Sequence, residues 1–174
     1  MSSRISMYSA SIPVFIRALR GLDHVLRLGE AHALERGIDP RSLLQARLVE
    51  DMHPLVRQVQ IATDMARNGA SRLAGRDVVS VPDDETDFDQ LHVRIARTIA
   101  HLEAFTPARI DGSESRPVTL RVGDAEMTFE GHDYLLGFVL PNLYFHVTTA
   151  YAILRQAGVP LGKPDFFGRA MPTR

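Results

Sequence analysis

The stretch Gly131–Val159, GHDYLLGFVLPNLYFHVTTAYAILRQAGV, decides the fold. At helical spacing its Leu135, Val139, Asn142, His146, Ala150 and Ile153 fall into one stripe. That predicts a long helix from about Asp133 to Gln156, with Gly158 as its C-terminal cap. Most of the stripe is apolar, so it needs other helices to lie against. Asn142 and His146 break it. They stand four residues apart, so both side chains lie on one face, a turn from each other. Burying an amide and an imidazole costs about 2 kcal/mol or more unless each is hydrogen-bonded. Pro141 lies beside them, removes a backbone bond and frees the carbonyl of Gly137. A bend there would make a pocket wall next to two polar groups.

The rest of the chain supplies the partners for that stripe. From Tyr8 to about Arg36, Ile12, Phe15, Ile16, Leu19, Leu22, Leu26 and Ala33 recur every three or four residues. Pro13 sits in the first turn, where its missing N–H is harmless, and Gly37 ends the segment. Asp39-Pro40 opens a short helix through Leu48. The second long helix begins after Asp51-Met-His-Pro54, carries Leu55, Val59, Ala62, Ala66 and Leu73, and ends near Ala74 before Gly75. Residues 75–86, GRDVVSVPDDET, show no period and read as a polar crossover. The third long helix starts near Asp87, shows Phe88, Leu91, Ile95, Ile99 and Leu102, and stops at Thr106-Pro107. Between it and the last helix, residues 117–130 alternate around Gly123-Asp124, the mark of a hairpin.

Four amphipathic helices and one hairpin imply an all-α bundle in a single domain over 1–174, with an irregular tail at 159–174. The crossover is long enough to span the bundle, which lets the second and third helices run parallel. In the tail, Phe166 and Phe167 are expected to pack back onto the helices.

Composition removes several function classes. With no cysteine there is no disulfide, thiolate catalysis or sulfur-ligated zinc site. A net charge of -1 gives no footprint for nucleic acid. No apolar run reaches the ~18 residues of a membrane span, and the N-terminus carries no secretory h-region. A cytoplasmic location is the expectation. Nucleotide-binding glycine motifs, H-E-x-x-H and G-x-S-x-G are all missing.

Asn142 and His146 thus stand out as the candidate site. Gln58, bordering the stripe of the second helix, is the candidate partner. Asp64 lies nearer the solvated edge, and His53 stands at the helix start. His24, His32, His92, His101 and His132 read as margin or surface residues. Asp83, Asp84 and Glu85 read as solvated loop charge. The plain alternative for His146 is a core histidine satisfied by a neighbouring helix, the commoner fate of a buried imidazole.

ISMYSASIPVFIRAL at the start, PLVRQVQIATDMA in the second helix and the last-helix stretch with PNLYFHVTTAY resemble a bacterial family, domain of unknown function 1993. The resemblance runs from about Ile5 to Phe167. That family is grouped with the DinB/YfiT-like superfamily. The resemblance implies a four-helix bundle in up-down-down-up order with a crossover between helices two and three.

It also implies a site. Many superfamily members hold a divalent metal through one histidine on helix two and an H-x-x-x-H pair on helix four, and some are thiol transferases or hydrolase-like enzymes. By position the pair falls on Asn142 and His146, with Gln58 or His53 in the place of the helix-two ligand. This chain departs from the pattern, because an amide oxygen is a poor substitute for an imidazole toward zinc or nickel. Two readings follow. One is a metal-free small-molecule-binding or interaction protein with a degenerate metal site at His146, Asn142 and Gln58. The other is an enzyme dependent on zinc or nickel, using His146 with Asn142 and His53 or Gln58. Whether the chain is an enzyme stays open between them. Pairing into a homodimer through helix faces is a further implication of the resemblance.

Overall fold

A computed structural model describes residues 5–123 and 125–168. Helix α1 spans Met7–Glu35 and opens on a capping box in which Ser6 and Ser9 bond each other's backbone N–H. Helix α2 (Pro40–Leu44) is capped by Asp39 and is shorter than its sequence suggests. Helix α3 spans Leu55–Leu73, and α4 spans Phe88–Glu103 with the Asp87 side chain accepting from the Gln90 N–H. Pro107, expected only to end α4, starts a single turn, α5 (Pro107–Ile110). Strands β1 (Pro117–Val122) and β2 (Ala125–Glu130) pair antiparallel from Pro117↔Glu130 to Val122↔Ala125, as the alternation predicts. Of the expected turn, Asp124 lies outside the described residues.

Helix α6 (Gly131–Asp133), a π-helical turn over Tyr134–Val139 and helix α7 (Leu140–Gln156) continue one another. In the tail, Lys163–Phe166 form a helical turn, α8, within a segment expected to be irregular. Residues 169–174 of that tail lie outside the described residues. Phe166 packs edge-on against Tyr151 at 5.8 Å. Its carbonyl lies so close to Gly21 that a Cβ at that position would clash with it.

Contacts between helices fix their directions. Thr63 meets Arg94 and Ser71 meets His101, so α3 and α4 run parallel. Gln58 meets His146 and Arg72 meets Tyr134, so α3 and α7 run antiparallel. Asp23 meets His92 and Arg20 meets Glu103, which opposes α1 to α4. The order is up-down-down-up, and the extended crossover between α3 and α4 makes the parallel pair possible. Phe15, Leu19 and Leu22 on α1, Leu55, Val59 and Ala66 on α3, Leu91 and Ile95 on α4, and Leu143 and Val147 on α7 fill the centre. Among the described residues no helix is long and apolar enough to cross a membrane.

The last helix departs from its predicted stripe. Its buried stripe runs through Leu135, Val139, Leu143, Val147, Ala150 and Leu154, and Tyr134, Thr149 and Ile153 beside it are buried too. Asn142 and His146 are half-buried at the edge of this stripe and not on its centre line. The cause is the π-helical turn, where the Leu140 N–H reaches back to the Leu135 carbonyl. A wider turn carries one extra residue, so Leu143 and Val147 take the inward places predicted for Asn142 and His146, while Ala150 and Ile153 stay buried as predicted. Pro141 follows directly and lacks the N–H that a tight turn would use. Small residues set the spacing elsewhere. A Cβ on Gly69 would meet Val139 at 2.8 Å, so the bare glycine lets α3 and the last helix come close.

Candidate functional site

Gln58 and His146 are brought together across the α3–α7 interface. Gln58 is 1% exposed on the inner side of α3. Its Nε2 donates to the His53 carbonyl at 2.9 Å, and its Oε1 lies 2.7 Å from His146 Nδ1. A carbonyl can only accept, so the first bond fixes which way the amide faces. Oε1 then faces the imidazole, and Nδ1 must carry the proton that it accepts. The lone pair of the neutral ring is left on Nε2, to which no side chain among the described residues bonds.

Electrostatics hold the ring in that state. Burial pushes the His146 pKa down to about 4, helped by the nearby charges of His53 and Arg57. At neutral pH the ring is therefore an acceptor at Nε2 and a donor at Nδ1. Phe145 stands edge-on to it at 5.2 Å.

The other two expected site residues behave differently. Asn142 turns back on its own helix, donating from Nδ2 to the Phe138 carbonyl at 2.7 Å. That carbonyl lies in the π-helical turn, so the amide is spent on the backbone of its own helix. His53 is exposed at the start of α3, and its backbone carbonyl anchors Gln58. Among the described residues no three His, Asp, Glu or Cys side chains converge in a way that would hold a metal ion.

Several polar groups are less solvated than the sequence suggests. Arg94 has 4% of its side chain exposed and donates to Thr63 Oγ1, the Pro82 carbonyl, Glu85 and Asp64. It also pairs with Asp83 at 3.0 Å. Asp64, Asp83 and Glu85 are thus partners of one buried guanidinium, which pins the crossover to α3 and α4. Arg57 pairs with Asp83 as well. The available signal was the place of Arg94 between Leu91 and Ile95, on the core side of α4, with three acids just upstream. His92, expected at the margin, is 8% exposed, with Nδ1 2.6 Å from Asp23 Oδ1 and Nε2 3.7 Å from Glu30. His101 lies 3.2 Å from Ser71 Oγ and edge-on to Phe105.

A groove of about 530 Å³ lies on the α3, α4 and crossover side, lined by Asp64, Arg67, Val81, Val93, Arg97 and His101 among others. His146 is not part of its lining.

The sequence profile of domain of unknown function 1993 matches residues 7–167. The chain belongs to that family. A crystal structure of a DinB family member protein from Shewanella denitrificans is 35% identical, with a TM-score of 0.84, over 96% of this chain and 94% of that one. The fold is accordingly the DinB-like four-helix bundle. No curated protein matches the chain.

Proposed function

We propose that this DinB-like protein is a metal-free binding protein. In this reading, the position that the superfamily resemblance assigns to a metal holds a fixed, neutral acceptor for a small molecule. The bonding of Gln58 carries the reading. Its amide is committed at both ends, to the His53 carbonyl and to His146 Nδ1. Asn142 is committed to the Phe138 carbonyl. Of these three residues, only His146 then offers a strong transition-metal donor, its Nε2, where zinc or nickel favours three or four good ligands. The donor set does not fit such an ion. It does fit a ligand that offers a hydroxyl or N–H to Nε2 of His146.

The proximity of His53, close enough for its charge to lower the His146 pKa, favours the alternative of a metal-dependent transferase or hydrolase. Elemental analysis of protein purified without chelator separates the two. The expected result is no zinc, nickel or iron above background and an unchanged Tm in chelator. Near-stoichiometric metal that is lost in His146→Ala would overturn the metal-free reading.

Self-association belongs to the same proposal. Leu136, Tyr144 and Phe145 are exposed along the last helix, an apolar surface of the kind that pairing covers. Light scattering is expected to give the mass of a dimer, and a monomer at micromolar concentration would remove this part.

A further inference from the structure

We infer that the basic end of the groove between α3 and α4 binds the anionic head of a small organic molecule, a carboxylate or a phosphate monoester. The site is separate from His146 and does not rest on its role. Because α3 and α4 run parallel with Thr63 opposite Arg94 and Ser71 opposite His101, Arg67 comes level with Arg97 and Thr98. Arg97 and His101 are one turn apart on α4. Arg67 on one wall and Arg97 on the other therefore line one end of the groove and can meet an oxyanion, with His101 beside them; Thr98, also in the lining, donates its hydroxyl to the Arg94 carbonyl at 2.9 Å.

The local charge is not balanced. Arg67 has only 12% of its side chain exposed, yet its bond to Asp64 Oδ1 is a long 3.3 Å contact. The same oxygen accepts from Arg94 at 2.9 Å. Arg97 has no ion pair among the described residues. Arg76 lies near enough to press on His101, and it also stacks over Phe105 at 5.2 Å. Burial, then Arg67 and Arg76, hold the His101 pKa below its ordinary value. Glu85 is bound to Arg94 and Gln60 and is not available to this end. The remaining acids of the groove, Asp84 and Asp89, lie toward the start of α4. Asp89 is eight residues before Arg97, about 12 Å along the helix. Val81 and Val93, 37% and 47% exposed, line the stretch between and suit an apolar body. Guanidinium pairs recognise the planar oxygens of carboxylate and phosphate by paired hydrogen bonds.

The test follows the His101 ring by NMR while inorganic phosphate or acetate is added to the full chain at constant ionic strength. Saturable binding below about 20 mM is expected, with the His101 pKa raised toward its ordinary value. Tighter phosphate binding assigns a phosphate monoester, and tighter acetate binding assigns a carboxylate. Arg97→Gln, a change at an exposed residue, is expected to weaken binding at least about tenfold. Arg67→Lys should bind more weakly than the parent and more tightly than Arg67→Gln. An equal response to chloride, or no saturable response to either anion, overturns the proposal, as does unchanged binding in Arg97→Gln.

Discussion

Replacing Gln58 by leucine removes both ends of the bridge between α3 and α7 while keeping most of the side-chain volume. Two hydrogen bonds disappear, at 2.7 Å to His146 and 2.9 Å to the His53 carbonyl. The His53 carbonyl sits at an exposed residue and can turn to water. The His146 N–H, half-buried against α3, loses its acceptor. An orphaned donor of this kind costs about 1–3 kcal/mol. His146→Leu should cost a similar amount, because it orphans Oε1 of a glutamine that is 1% exposed. The double variant leaves neither orphan. Its loss should fall short of the sum of the single losses by about 1–2 kcal/mol. Urea unfolding at pH 7 measures all four proteins, and each single variant should lower the midpoint by up to about 1 M. Single losses that add to within about 0.3 kcal/mol would refute the coupling and with it the fixed orientation of the ring.

Acid should weaken the fold through the same residue. The folded pKa of His146, about 4, is below the unfolded value near 6.5, so the unfolded chain binds more protons between them. Stability contributed above pH 6.5 is therefore lost as pH falls toward 4, by about 1–2 kcal/mol once partial exposure is allowed for. His146→Leu should flatten that part of the pH profile, and an unchanged profile would contradict it. Arg94→Met removes the buried guanidinium shared by Asp64, Asp83 and Glu85, leaving them only Arg67, Arg57 and Gln60, and should cost about 3 kcal/mol while opening the crossover to limited proteolysis. Parent-like resistance to protease would show that the crossover is held by something else. Gly131→Ala drives a Cβ into the Ser113 carbonyl oxygen and should lower stability by about 1–3 kcal/mol, so an unchanged melting curve would rule out the tight approach.

The sequence by itself determined the helices, their approximate ends, the hairpin and a crossover long enough to let the second and third helices run parallel, while the up-down-down-up order came from the family resemblance. The helices and their ends follow from local signals: apolar spacing, Asp39 as a cap, a start near Asp87, and a run without period at 75–86. It also singled out Gln58 and His146, because a polar residue on or beside an apolar stripe stands out in one dimension. Only the tertiary structure decided which polar groups bond which. Asn142 serves the Phe138 carbonyl of its own helix, and beside the widened turn Leu143 and Val147 take the inward places predicted for Asn142 and His146. Arg94 gathers Asp64, Asp83 and Glu85, and His92 meets Asp23 and Glu30 on α1. The pairings of Arg94 with Asp64 and of His92 with Asp23 and Glu30 join residues tens of positions apart, and periodicity along one segment carries no information about the charge that another segment brings to it.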